Sequence, residues 1–164
     1  MHTPIRHLAP LLPHAGNMIL LDEIISYSDT QLHALARIGP DHLFLDADGR
    51  LPMYCGIEIM AQGIAALAGC HARDAGRPPS LGFLLGSRQF DILRSSVAQG
   101  SLLHVQVQAS TRDETTGFGV FDCRLSLLEQ PDNTDRAAAQ TVATGRLSVF
   151  SPPDIEQYMQ EQTA

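Results

Sequence analysis

Apolar and polar positions follow two different periods along this chain. Over residues 31–38 they alternate, with Leu32, Ala34, Ala36 and Ile38 on one side, which is the period of a half-buried strand. Residues 18–25 are few, rich in branched side chains, and read as a strand too. The polar stretch 26–30 between them predicts a turn, so the two strands are expected as a hairpin or near neighbours. Gly39-Pro40 and Asp46-Ala47-Asp48-Gly49 mark a loop over 39–51. From Pro52 to Gly69 the period changes. Ile57, Met60, Ile64, Leu67 and Ala68 recur at helical spacing, and Pro52 suits a first helical turn, where its missing N–H costs nothing. The helix is expected to end before Gly76-Arg77-Pro78-Pro79. Gly56, Ala61, Gly63, Ala65, Ala66 and Gly69 interleave with the larger side chains, so this helix can lie close against another surface.

The rest of the chain returns to the strand period, over residues 80–90, 102–109, 117–128 and 138–150, with a polar hairpin loop at 129–136. Residues 1–17 are proline-rich and expected to be extended. Residues 152–164, after Pro152-Pro153, read as a tail, either a short acidic amphipathic helix or a frayed end. The order is therefore two strands, one long apolar helix and about four more strands. That predicts one α+β domain over 1–164, with an antiparallel sheet wrapped around the helix, because the helix is apolar nearly all round.

Composition narrows the partners. The chain has 164 residues, enough for a full core, and 44% of them are hydrophobic. Eleven Lys and Arg against 18 Asp and Glu leave a net charge of −7, which argues against a nucleic-acid partner. The three cysteines, Cys55, Cys70 and Cys123, lack metal-site spacing and read as reduced thiols of a cytoplasmic protein with no metal. No secretory signal is expected at the proline-interrupted N-terminus. The weakly polar run 51–70 contains Glu58 and Gln62 and is too short and too polar for a membrane span.

Glu58 is the residue that invites chemistry. A carboxylate in an apolar helix is costly unless it is paired or protonated, and a desolvated carboxyl is what a general acid requires. The alternative is an ordinary carboxylate near a helix N-terminus, stabilised by the dipole or by an arginine. Gln62, one turn on, either orients Glu58 or is a satisfied core amide. Arg88 and Arg94 are candidates for contact with an acidic partner or a phosphate, or are solvated. Asp46 reads as a turn aspartate, and His2, His7, His33, His71 and His104 have no motif around them.

Several motifs resemble one family. Leu11-Leu12-Pro13-His14 followed by Met18-Ile19-Leu20-Leu21-Asp22-Glu23-Ile24 is similar to the N-terminal motif of the hotdog-fold 3-hydroxyacyl-(acyl carrier protein) dehydratases. Ile57-Glu58-Ile59-Met60-Ala61-Gln62 resembles their Glu-Ala-Met-Ala-Gln helix motif, with Pro52 six residues before the glutamate as in the family. Ser87-Arg88-Gln89-Phe90 is similar to the end of their Gly-Ile-Asp-Lys-Ala-Arg-Phe strand. The resemblance covers roughly residues 8–150. Phe44-Leu45-Asp46, Gly49-Arg50-Leu51-Pro52 and the Glu58 motif look in particular like the dehydratase-like proteins of aryl-polyene gene clusters.

The resemblance implies a hotdog fold and a hydro-lyase. It would convert a 3-hydroxyacyl thioester on an acyl carrier protein to the trans-2-enoyl thioester, in fatty acid or polyene biosynthesis. It implies Glu58 as the acid and a histidine as the base. The histidine and glutamate of one site come from different subunits in the family, so a homodimer or heterodimer is expected. The family's His-Phe-Pro-Gly motif is absent here. His42, sixteen residues before Glu58, is one candidate base, and His14 of the Leu-Pro-His motif is the other. The N–H groups around Pro52, Met53, Tyr54, Cys55 and Gly56 are expected, with Gln62, to contact substrate. No cofactor beyond the carrier's phosphopantetheine is implied. A hotdog thioesterase and a catalytically silent acyl-binding subunit partnering an active hotdog protein remain as alternatives.

Overall fold

The computed structural model describes residues 1–113, 115–129, 139–152 and 158. Among the described residues eight strands and one long helix run in the order β1 (Glu23–Tyr27), β2 (Gln31–Arg37), β3 (Arg50–Pro52), α1 (Gly56–Asp74), β4 (Phe83–Ile92), β5 (Ser96–Ala98), β6 (Leu102–Asp113), β7 (Phe118–Glu129) and β8 (Gln140–Phe150). Six of them form an antiparallel sheet in the order β1-β2-β6-β7-β8-β4, and β3 pairs with β5 in a small second sheet.

The alternation along β2 sets the register. Leu32, Ala34 and Ala36 lie opposite Val107, Val105 and Leu103 of β6, and this buried face continues through Leu125 and Leu127 of β7 to Val142, Ala143 and Leu147 of β8. Helix α1 covers that face with Ile59, Met60, Ile64, Ala66 and Leu67, all buried. Its small residues allow the approach. A β-carbon on Gly63 would come within 2.8 Å of the Val107 side chain, and one on Gly145 of β8 within 3.1 Å of the Met60 sulfur. By length and hydropathy α1 is apolar enough to cross a bilayer; in this fold those apolar positions are the core. The helix stops in a tight reversal at Gly76 (φ 69°), where Gly76 N–H donates to Arg73 O and Arg77 N–H to Ala72 O.

The expected antiparallel sheet around one helix is found, and the 26–30 turn joins β1 to β2 as a hairpin. Two expectations need correction. The strand expected over 18–25 begins only at Glu23, because Gly16–Met18 form a 3-10 turn and lead the chain onto α1. Pro52 is not inside the helix; it ends β3 and caps a 3-10 turn, Met53–Cys55, that runs into α1. The short β3 and β5 were too brief to show a period. The polar loop 129–136 and most of the tail 152–164 lie outside the described residues. The three cysteines are free, and burial pushes the Cys70 and Cys123 thiols up to about 11 and about 12, so these two are inert packing groups.

Candidate active site

Glu58 is the third residue of α1. Its side chain meets the N-terminal segment, which runs along α1 from Leu11, packed on Gly69, to Met18 and Leu20, bonded to Gln62. There His14 Nε2 lies 3.4 Å from Glu58 Oε1. Two hydrophobic anchors set that path. Leu8, Leu11 and Leu12 are buried before it, and Leu20 and Leu21 after it, while Pro13, Ala15, Gly16 and Asn17 remain exposed. Only His14 of the arc turns inward.

Gln62, fully buried, ties the parts together. Its Nε2 donates to the Met18 carbonyl at 2.7 Å and to Glu58 Oε1 at 3.0 Å, and its Oε1 accepts from Leu20 N–H at 2.8 Å. The amide's two donors are both engaged and its carbonyl accepts one bond, so in this structure Gln62 holds Glu58 and the N-terminal segment. Glu58 itself differs from the expectation of a carboxyl sunk among apolar groups. Its side chain is 31% exposed and that of His14 25%, so the pair opens toward solvent on one side. His14 Nδ1 is buried and has no hydrogen-bond partner.

His42 takes a different place. It sits in the 39–45 loop, where Phe44 N–H donates to its Nδ1 at 3.3 Å and the Phe44 ring lies 6.0 Å away. Accepting at Nδ1 puts its proton on Nε2, which is buried without a partner. Burial lowers its pKa, with Asp22 opposing that shift. The structure thus joins Glu58 to His14 and leaves His42 facing Asp22 and Phe44. Asp46 is the expected turn aspartate, since its Oδ1 accepts from Asp48 and Arg50 N–H at 3.0 and 2.8 Å.

The turn before α1 is narrower as a donor set than expected. Pro52 has no N–H. Met53 N–H donates to Ser95 O at 2.8 Å, and Gly56 N–H to Met53 O. Those two amides serve the fold and are withdrawn from substrate. Between them, Tyr54 is 65% exposed and Cys55 partly so, and this outward stretch is the part of the helix N-terminus open to a ligand. Among the described residues no cluster of three or more His, Cys, Asp or Glu is placed to hold a metal ion.

A family model described as ApeP-like, the ApeP dehydratase, matches residues 6–160. The chain belongs to the ApeP-like dehydratase family. Among solved structures, it is similar to the dehydratase heterocomplex ApeI:P of Xenorhabdus doucetiae, with 30% identity, 100% of both chains covered and a TM-score of 0.82. The PaaI protein of the phenylacetic acid degradation operon of E. coli is 16% identical over 77% of this chain and 80% of that one, with a TM-score of 0.55. The smu.793 protein of Streptococcus mutans UA159, bound to acetyl CoA, is 14% identical over 88% and 95%, with a TM-score of 0.59. These two share the hotdog fold alone with this chain. No curated protein matches at a significant level. The family, fold and dehydratase activity expected from the motifs are therefore met, and the thioesterase alternative rests on distant likeness only.

Proposed function

We propose that this dehydratase acts on a 3-hydroxyacyl thioester carried by an acyl carrier protein, with His14 as base and Glu58 as acid. The observation that carries this reading is the 3.4 Å contact between His14 Nε2 and Glu58 Oε1 beside the exposed N-terminal turn of α1. The contact is looser than a hydrogen bond, as acid–base pairs often are before substrate enters.

The chemistry balances with proton transfers only. His14 Nε2 takes the proton next to the thioester carbonyl, and the electron pair of that C–H bond becomes the new C=C bond. The C–O bond at carbon 3 breaks as Glu58 gives its proton to the leaving hydroxyl, which departs as water. The His14 imidazolium then returns its proton to the Glu58 carboxylate, and the pair is reset. Charge that develops on the thioester oxygen is met at the Tyr54–Cys55 turn by the positive end of the helix. No metal or redox cofactor enters these steps.

A second hotdog subunit is the partner we infer, in the cytoplasm. Among the described residues strand β4 ends the sheet with no strand paired on its outer side, and Leu84, Leu85 and Ile92 on it, with Leu81 and Leu93 beside it, are exposed. Exposed apolar groups along an open edge favour pairing with another sheet. The likeness to a heterocomplex favours a different hotdog chain over a second copy.

The test is to incubate the protein, alone and with its hotdog partner, with 3-hydroxyacyl carrier protein and to read the acyl group by mass spectrometry. Loss of one water from the carrier-bound chain, abolished by Glu58→Gln, is expected. Release of free acid indicates a thioesterase. Full activity of the Glu58→Gln complex indicates a silent subunit.

A further inference from the structure

We propose that the outer face of the sheet carries a second binding site, for a small hydroxylated molecule that bears one phosphate or carboxylate group, with Arg124 of β7 as its anion-binding residue. This site stands whether or not His14 and Glu58 are the acid–base pair.

Helix α1 covers the inner face of the sheet, so the outer side chains of β2, β6, β7 and β8 stand on the surface away from Glu58. A groove of about 520 Å³ lies there, within the size range of small-molecule sites. The register builds it from cross-strand rows. In one row His33, Gln106, Arg124 and Thr144 lie side by side on the four strands. In the next row Gln108, Asp122 and Arg146 do the same. Directly opposed residues have their β-carbons about 5 Å apart, so their polar ends can meet on one ligand.

The two arginines of the groove differ. Arg146 is engaged within the fold. Its Nη1 donates to the two Asp122 oxygens at 2.9 and 3.2 Å, and its Nη2 to Ser110 Oγ at 2.9 Å. That ion pair takes up the carboxylate next to Arg124 on the same strand. Asp91, across Thr144 from Arg124, accepts from Gln89 Nε2 at 2.6 Å and from Thr144 Oγ1 at 3.5 Å. His33, whose Nδ1 lies 3.2 Å from His104 Nε2, brings no negative charge. Among the described residues Arg124 therefore has neither an ion pair nor a hydrogen bond, on a chain whose net charge is −7. A guanidinium left uncompensated between Gln106 and Thr144 is a planar fork suited to a phosphate or carboxylate. The rest of the lining selects the body of the ligand. The amides of Gln31 and Gln106 and the hydroxyl of Thr144 each donate and accept, which suits hydroxyl groups. Val107 and Cys123 also line the groove, but both are buried and Val107 turns its side chain toward Gly63 of α1, so there is no apolar wall for an acyl chain.

The test is isothermal titration of the full chain with glucose 6-phosphate, gluconate, glucose and inorganic phosphate, with amide NMR shifts to locate binding. Glucose 6-phosphate or gluconate is expected to bind and to shift the amides of Gln106, Arg124 and Thr144, and the tighter of the two names the anionic group. Glucose, which lacks that group, is expected to bind at least about tenfold more weakly, and Arg124→Gln to cost about tenfold or more. Arg77→Gln removes the same charge from an exposed position past α1 and is expected to change affinity less than about twofold. No binding by either anionic compound overturns the proposal. So does an equal loss in Arg77→Gln and Arg124→Gln, which marks a general charge effect. Inorganic phosphate binding as tightly as glucose 6-phosphate overturns the hydroxylated body. A dimer that sedimentation shows dispersing in Arg124→Gln would seat a second copy of this chain on the groove, and overturns the small-molecule site. If circular dichroism shows Arg124→Gln unfolded, Thr144→Val and Gln106→Leu decide the question, and unchanged affinity in both overturns it.

Discussion

Two segments of this chain each bring a histidine to a bend, and they fare differently. The segment 8–21 is anchored by five buried leucines and runs along α1 from Gly69 to Gln62, which places His14 beside Glu58. The loop 39–49 is anchored by its own turns, with His42 N–H donating to Gly39 O and Gly49 N–H to Asp46 O, and it folds His42 back on Phe44. A loop whose backbone turns close on themselves leaves its histidine within the loop. A segment whose leucines need the core delivers its histidine to the helix that supplies that core.

Substitutions that remove chemistry break the comparison most strongly. Glu58→Gln and His14→Ala are each expected to lower kcat on a 3-hydroxyacyl carrier substrate by about 100-fold or more, the usual worth of a positioned general acid or base. Steady-state enoyl formation measures this.

Gln62→Leu comes next. It leaves Met18 O and Leu20 N–H without partners, at about 1–3 kcal/mol for each buried group left unpaired. Chemical denaturation is expected to show that loss, with kcat reduced as well because Glu58 is no longer held. Unchanged stability would mean that the N-terminal segment is not pinned there.

The smallest effect separates the second histidine from the first. Burial holds His42 below the ordinary imidazole range, and burial and then His33 do the same for His104. As pH falls through about 6.5 the unfolded chain takes up protons first, so the stability these two contribute is present above that value and is lost as pH approaches their folded values. The melting temperature is expected to fall between about pH 7.5 and 5.5, and less so in His42→Gln. An equal fall in the variant would remove His42 from this account.

The sheet was legible because its signal is local. Leu32, Ala34, Ala36 and Ile38 alternate, and all four are fully buried. The helix end was legible because glycine at 76 is chemically required there. The strand at 18–25 was misplaced because its branched residues Ile19, Leu20 and Leu21 pack in the segment along α1, a demand of that helix that no period reveals. In the site, Glu58 was legible as a carboxylate out of place. Its exposure was not, because that depends on a segment over forty residues away in sequence. The choice between His14 and His42 was likewise hidden, since spacing to Glu58 favoured neither. The Leu-Pro-His run held the clue, in two leucines that must be buried just before His14.

The most direct measurement compares His14→Ala with His42→Ala, each assembled with the hotdog partner, for enoyl formation from 3-hydroxyacyl carrier protein. The account predicts a loss of about 100-fold or more for His14→Ala and a change within about threefold for His42→Ala. Full activity of His14→Ala with loss in His42→Ala would contradict it.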